Sequence, residues 1–348
     1  MKLHAFLLGQ TTEPTIDTRD MYQTLIDDTR FAEEVGFDGA WFAEHHFSNY
    51  AMVPNSLTLL AALARETKRI RLGTSIILLP LRNPVLVAEE LAMVDQLSDG
   101  RLEAGFGRGY QPYEFDRLGI DFSEAGPRLV EGIDLLTHLF ANPDQPFEGR
   151  HYKTGSLTIT PAPRQLPHPP FWIAAGSAES MGFALERGLS IVCNVGNNGP
   201  DLASKLVDTF HAECRKREID PKSVRFALQT HGYLVESKDE EDTVVRSGGF
   251  LHRVQVRLRE QRHQIVRGIN EASGHEKGEP TYAGWSAASL IGDREHIERQ
   301  AARFAGLGIS DLFITLRFGE FKTPGTRRSM QAITEAVNTT NAELRKAS

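Results

Sequence analysis

Three times along this chain an amphipathic segment ends at a glycine and runs straight into a short apolar strand. The copies are Ala32-Glu33-Glu34-Val35-Gly36-Phe37-Asp38-Gly39-Ala40-Trp41-Phe42, Ala184-Leu185-Glu186-Arg187-Gly188-Leu189-Ser190-Ile191-Val192 and Phe304-Ala305-Gly306-Leu307-Gly308-Ile309-Ser310-Asp311-Leu312-Phe313-Ile314. Glycine reaches the left-handed conformation that closes a helix at little steric cost. A repeated helix–Gly–strand junction implies alternating α and β elements, hence a parallel sheet. Eight strand candidates follow, at about 2–8, 39–46, 71–79, 101–107, 170–175, 189–195, 224–235 and 311–317. Several are continuous apolar runs, Ser75-Ile76-Ile77-Leu78-Leu79 most plainly, as strands covered on both faces are. The first helix, 18–35, sets Met21, Leu25, Ala32 and Val35 on one stripe. Eight βα units predict a closed (β/α)8 TIM barrel, a single domain over residues 1–348. An open doubly wound sheet is the other arrangement the pattern permits.

Two stretches break the rhythm. Residues 141–169, rich in Pro, His and Gly, read as an excursion between strands four and five. Residues 236–290 form a long insertion before the last strand, with a helix expected near 250–268 and Gly268, Gly274, Gly278 and Gly284 after it. A loop of this length is either a lid over a site or a plain disordered insertion.

Charge and cysteine content narrow the setting. A net charge of −7 argues against nucleic acid or an anionic membrane as partner. No apolar run approaches the ~18 residues that span a bilayer, and the N-terminal Met1–Gly9 stretch reads as a strand rather than a signal peptide. Two cysteines, Cys193 and Cys214, make neither a disulfide framework nor a zinc site, so a cytoplasmic location is expected.

Four constellations can carry chemistry. Glu44-His45-His46-Phe47 ends the second strand, and barrels hold their active sites at C-terminal strand ends. Neighbours on a strand face opposite ways, so His45 and His46 cannot readily share a metal ion; no metal site is expected. One imidazole then faces the mouth, where it can move protons near neutral pH, unless both are satisfied structural histidines. Gly105-Phe106-Gly107-Arg108-Gly109 ends strand four and offers backbone N–H groups and a guanidinium to a phosphate, or else forms a tight turn with a solvated arginine. Tyr110-Gln111-Pro112 follows, which leaves no helix for a Rossmann pyrophosphate. Ala174-Ala175-Gly176-Ser177-Ala178-Glu179-Ser180 ends strand five and is either an anion site at a helix start or simple capping by Ser177. The two glycine-bearing ends lie on consecutive strands and can converge on one phosphate. Cys193-Asn194 ends strand six, where a buried thiol reads as filler rather than a nucleophile.

Together these stretches resemble the bacterial luciferase-like flavin monooxygenases. The resemblance is carried by EHHFSNY, RLGTSIILLPLRNPVLVAEELAMVDQLSDGR, GFGRGY and FWIAAGSAES, in the family's order over residues 1–195, and by the final SLIGDREH and GLGISDLFI. It implies a (β/α)8 barrel that binds reduced FMN at the strand C-termini. Arg108, Gly109 and Tyr110 match the phosphate-binding position after strand four, and Ala175, Gly176, Ser177 and Ser180 the second half of that cradle. Ser75-Ile76 matches a non-prolyl cis peptide beneath the isoalloxazine. His45 matches the catalytic histidine, and Glu89 an interface residue, which implies a homodimer. Glu44, His46, Glu114, Cys193 and Asn194 are expected around the substrate pocket. The chain departs from luciferase at Gly107, where luciferase carries its reactive cysteine, and at Asn194, where it carries tryptophan; light emission is not implied. The expected activity is monooxygenation of an aldehyde, ketone or other small organic molecule with molecular oxygen, the reduced FMN coming from a separate flavin reductase. A deazaflavin-dependent dehydrogenase and a non-catalytic flavin-binding protein are the alternatives on the same fold.

Overall fold

A computed structural model describes the chain except residues 14, 15, 197, 199, 321 and 348. In chain order it contains β1 (Lys2–Leu7), α1 (Thr18–Val35), β2 (Gly39–Phe42), α2 (Ser56–Glu66), β3 (Arg71–Leu78), α3 (Pro84–Leu97), β4 (Leu102–Gly107), α4 (Pro112–Leu118) and α5 (Ala125–Ala141). A hairpin of β5 (Gln145–Glu148) and β6 (Lys153–Leu157) follows, then β7 (Phe171–Ala174), α6 (Ala178–Glu186), β8 (Ser190–Asn194), α7 (Pro200–Lys216) and β9 (Phe226–Leu234). The last quarter holds α8 (Lys238–Arg259), the short pair β10 (Ile265–Val266) and β11 (Ile269–Asn270), α9 (Tyr282–Ala288), β12 (Leu290–Gly292), α10 (Arg294–Gly306), β13 (Asp311–Arg317) and α11 (Thr323–Ala347).

Parallel pairing runs β9-β13-β1-β2-β3-β4-β7-β8, and β8 pairs back onto β9, which closes an eight-stranded barrel. The eight expected strands are these eight. β12 lies outside the ring and extends the far end of β9, opposite Gly232–Leu234. The first of the glycine junctions shows its mechanism: Gly36, at φ 101°, ends α1 and donates its N–H to Ala32. Alternation then divides the strands: Leu3, Ala5 and Leu7 pack under the helices, while Trp41, Trp172 and Phe313 fill the barrel. No helix among the described residues is long and apolar enough to cross a membrane.

The N-terminal end of the barrel is plugged by charge. Arg225 reaches Glu103 at 2.8 Å and Asp311 at 2.5 Å, Arg71 also pairs with Glu103, and the Arg225 guanidinium lies 4.5 Å over the Trp172 ring. Trp41 donates Nε1–H to His4 Nδ1 at 3.0 Å, so His4 keeps its proton on Nε2 for Asp311 at 2.7 Å. Trp172 donates to Glu103 at 2.7 Å. Glycine makes room for these rings: a Cβ on Gly73 would lie 2.1 Å from Trp41, and one on Gly39 2.4 Å from His4. Burial pushes the Glu103 carboxyl up, but Arg225 and Arg71 outweigh it and hold it below the usual range. His4 and Arg225 hold Asp311 far below its own, again against burial.

Residues 236–290 fold as a helix, a hairpin and a second helix. The helix expected near 250–268 starts much earlier, at Lys238, where Ser237 accepts the Glu240 N–H and Asp239, Glu240 and Glu241 fill the first turn. Gly248 and Gly249 lie inside it. A Cβ on Gly248 would meet Trp285 Nε1 at 2.3 Å, so glycine lets α8 lie directly on that indole.

Candidate active site

At the C-terminal end of the barrel the strands part around a cavity of about 300 Å³. β2 leaves the ladder at Phe42, paired there with Leu7 and Thr74, so the strand expected over 39–46 is shorter. Glu44, His45 and His46 sit on the loop beyond it, and Phe47 turns the chain at φ 63°. The register of β3 against β4 slips between Thr74 and Ile77, and the Ser75–Ile76 peptide is cis. Across from it the glycines are obligatory. A Cβ on Gly105 would stand 2.2 Å from the Thr74 carbonyl oxygen, and one on Gly107 1.9 Å from Ile76 Cδ1. Ser75, Ile76 and Gly107 therefore give the cavity one flat, side-chain-poor wall.

His45 borders this wall and is 9% exposed. Its Nδ1 lies 3.1 Å from Glu114 Oε1 and 3.2 Å from the Gln111 carboxamide. In the tautomer that donates Nδ1–H to Glu114, Nε2 is left as the acceptor; the Gln111 amide nitrogen, itself a donor, meets Nδ1 in the other. No described residue hydrogen-bonds that Nε2. Glu114 Oε1 also accepts the His46 N–H at 2.7 Å, which locks the loop to α4. Tyr50 and Tyr110 flank the imidazole, with ring centroids at 4.6 and 5.8 Å. Burial raises both phenols above their ordinary values, so they stay protonated.

The residues expected around the pocket divide. Glu44 lines the cavity, but its oxygens are taken: Oε2 accepts from Ser56 N–H and Oγ–H at 3.3 and 3.1 Å, and Oε1 from Leu78 N–H at 3.2 Å. It braces the loop, and burial raises its carboxyl pKa. His46 is a correction: it turns away, 4.0 Å from Glu44, with burial pushing its imidazole down. Glu114 touches His45 rather than the cavity. Cys193 is a second correction. On β8, Val192 and Asn194 face the cavity and alternation sends Cys193 into the helical layer, where burial pushes its thiol up to about 12.

The phosphate candidates also divide. Arg108, Gly109 and Tyr110 line the cavity. The Arg108 side chain is exposed, with no hydrogen bond or ion pair among the described residues. Gly109, at φ 79°, bends the chain back toward α4, where a Cβ would touch Phe115 at 3.0 Å. Ala174 lines the cavity, Ala175 is buried, and Gly176 and Ser177 are exposed at the start of α6. Ser177 caps that helix, and the Ser180 hydroxyl accepts the Gly176 and Ser177 N–H groups at 3.2 and 3.1 Å.

Of the opposite wall, Asn194 alone was expected. Asn194 of β8, Gln229 and His231 of β9 and Thr315 of β13 close the cavity, roofed by Leu251 and Gln255 of α8. Strand alternation past Ala227 would have marked Gln229 and His231 as inward polar residues at a C-terminal strand end. Gln229 donates to Thr315 Oγ1 at 3.2 Å. Burial pushes the His231 imidazole down to about 4, offset in part by the Gly196 backbone. The 236–290 segment is tied to the loop after β2 at two points. Gln255 and Tyr110 both donate to the Tyr50 hydroxyl at 3.0 Å. Asn49 accepts the Asn270 N–H at 2.9 Å and donates its own backbone N–H to Gly268 at 2.9 Å.

Comparison with known proteins agrees with this geometry. The profile of the family described as luciferase-like monooxygenase matches residues 1–309. The oxygenase component of the flavin-dependent trigonelline monooxygenase of Acinetobacter baylyi is 31% identical over 242 residues, 69% of this chain and 67% of that protein. Among solved structures, the oxygenating constituent of 3,6-diketocamphane monooxygenase from Pseudomonas putida, in complex with FMN, superposes with a TM-score of 0.76 at 17% identity, covering 97% of this chain and 98% of that one. An F420-dependent secondary alcohol dehydrogenase superposes at 0.73 and 17% identity, covering 97% and 98%. At those identities the structural likeness speaks for the fold alone.

Proposed function

The chain belongs to the luciferase-like monooxygenases, a flavin-dependent family of oxidoreductases, and from that premise we propose that it oxygenates a small organic substrate using reduced FMN and molecular oxygen. One observation carries the reading: an imidazole with Nδ1 pinned by Glu114 and Nε2 open sits beside a glycine-floored wall, with an unpaired guanidinium on the same cavity. The residues present fit FMN. The bare face of Ser75, Ile76 and Gly107 suits a flat ring system, since a Cβ at Gly107 would fill it. Arg108 with the Gly109 and Tyr110 backbone, and Gly176, Ser177 and Ser180 across the rim, would hold one phosphate. Among the described residues Arg108 is the one lysine or arginine lining this cavity, which favours a single phosphate over the longer anionic tail of a deazaflavin.

Reduced FMN, brought by a separate reductase, would supply the electron pair that lets one oxygen atom enter the substrate and the other leave as water. His45 Nε2 takes or returns the proton at the reacting oxygen, and Glu114 steadies the imidazolium that results. Leu251 and Gln255, on the segment we read as a lid, keep bulk water out. The exposed stripe Leu86, Glu89, Met93 and Leu97 on α3 is the face we assign to a homodimer, and sedimentation showing a monomer at micromolar concentration removes that part.

The test of the activity is direct. The protein is mixed anaerobically with reduced FMN, and oxygen is admitted. Slow return of the oxidised-flavin absorbance, with oxygenated product when an aldehyde or ketone is present, supports the proposal. Immediate return with stoichiometric hydrogen peroxide overturns it.

A further inference from the structure

The wall facing the flat face carries two carboxamides side by side. Asn194 ends β8 and Gln229 lies in β9, the sixth and seventh strands of the ring, and the two are register partners. Neighbouring strands run about 4.8 Å apart, so partners on one face stand next to each other. Both side chains line the cavity, Asn194 exposed and Gln229 half-buried, across the barrel from Ser75 and Ile76 on the third strand. Neither is spent on the fold. The Asn194 carboxamide makes no hydrogen bond to a described residue, and none joins it to Gln229. Gln229 donates one amide hydrogen to Thr315 Oγ1 at 3.2 Å, which orients its carboxamide and leaves the second N–H and Oε1 to the cavity. Each amide therefore offers a donor and an acceptor. Among the described residues of β8, β9 and β13 that line the cavity there is no lysine, arginine or carboxylate. A carboxylate placed here would use the N–H groups but press on two carbonyl oxygens with no cation near, and an ammonium would meet the reverse mismatch. A neutral group with its own donor and acceptor side by side satisfies both. A cis amide, the form a lactam ring enforces, presents N–H and C=O along one edge in that way.

We infer that Asn194 and Gln229 are specificity-determining residues: together they select a neutral cyclic amide, holding its N–H and C=O, with the carbon to be oxygenated turned toward His45. This rests on the reading of the cavity as the substrate site of an oxygenase and names the substrate class. Gln229, held by Thr315, takes the ligand N–H on Oε1, and Asn194 gives an N–H to the ligand carbonyl. A lactone keeps the shape of the lactam but lacks the N–H, so it leaves Gln229 Oε1 desolvated and unpaired.

The experiment sets each lactam beside the lactone of the same shape: 2-piperidone with δ-valerolactone, and 2-quinolone with coumarin. Benzoate tests the anion. Dissociation constants are measured on the flavin-free protein, and the side-chain amides are followed by nitrogen NMR in protein labelled with 15N-asparagine and 15N-glutamine. The Asn194 and Gln229 signals are assigned by their loss in Asn194→Leu and Gln229→Met; if either variant does not fold, Asn194→Ser or Gln229→Leu takes its place. In at least one pair the lactam should bind on the order of tenfold more tightly than its lactone and move both signals. Each variant should abolish that preference. Lactams that bind no more tightly than their lactones in both pairs, benzoate bound more tightly than either lactam, or Asn194 and Gln229 signals that stay still overturn the proposal. Flavin and oxygen take no part in these titrations, so loss of the oxygenase reading leaves this result standing, and the reverse holds too.

Discussion

At the floor of the barrel Arg225 touches two carboxylates and an indole face, whereas at the mouth Arg108 has no partner among the described residues. The contrast extends to the histidines. His4 uses both ring nitrogens, on Trp41 and Asp311, while His45 keeps Nε2 open and the buried His231 Nδ1 has no hydrogen-bond partner among the described residues. Gln111 and Glu114 each leave a buried oxygen without a partner at the mouth, whereas Glu103 and Asp311 at the floor leave none. Both ends are polar and aromatic. The floor spends its polar groups on itself and specifies how the barrel closes; the mouth leaves its own unspent, as a binding end must.

That contrast can be broken at either end. The largest effect is expected at the floor. Arg225→Met strands Glu103 and Asp311 as buried, uncompensated carboxylates and should cost about 3–5 kcal/mol in urea unfolding. A loss under about 1 kcal/mol would mean the plug is ornamental. Next comes acid. His231 falls from an ordinary 6.5 when unfolded to about 4 when folded, so it stays neutral in the fold and charges more readily in the unfolded chain. Its contribution is complete above pH 6.5 and is lost between pH 6.5 and 4, by about 3 kcal/mol. Glu103 and Asp311 are shifted the other way, so their contribution begins to fade only as pH falls through 4.5 and 3.8. Acid should thus loosen the mouth before the floor. Equilibrium unfolding across that range should show a steeper slope between pH 6.5 and 4 for this protein than for His231→Gln, in which His46, His168 and His263, also pushed down by burial, still contribute; equal slopes would break the assignment.

Third, His45→Ala should lower oxygenation by ~10²-fold, about 2.7 kcal/mol in the barrier, while stability moves by less than about 1 kcal/mol. Unchanged turnover would remove His45 from the chemistry. The smallest effect is expected at the junction of mouth and roof. Tyr50→Phe deletes the hydroxyl shared by Gln255 and Tyr110 and should cost about 1 kcal/mol, read as faster amide exchange along α8 but not along the barrel strands.

The floor and the mouth also differed in how far the sequence showed them. Glycine-closed helices and apolar runs announce a barrel because they are local, and all eight strands were legible on that basis. Gly105, Gly107, Arg108 and His45 lie on continuous motifs and could be read as site residues. The partnership of His45 with Glu114 joins residues far apart in sequence and needs the β2 loop laid on α4, which no local pattern encodes. His231 stands in an apolar strand where a lone histidine looks structural, and only closure of the barrel brings it opposite Ser75. Cys193 was misplaced because the strand end was taken as a pair, although alternation allows only one of two neighbours to face the cavity. The glycine pair within α8 concealed a helix because its reason, Trp285, lies beyond the next turn of chain.

The shared hydroxyl of Tyr50 sets how this enzyme can change over evolutionary time. Gln255 and Leu251 are one helical turn apart on the roof of the same cavity, yet only Gln255 is joined through Tyr50 to the rings around His45. Leu251 can therefore be exchanged to admit a new substrate shape at little catalytic expense, while most exchanges at Gln255 are paid in rate. A combinatorial library at the two positions should recover many side chains at 251 and few at 255.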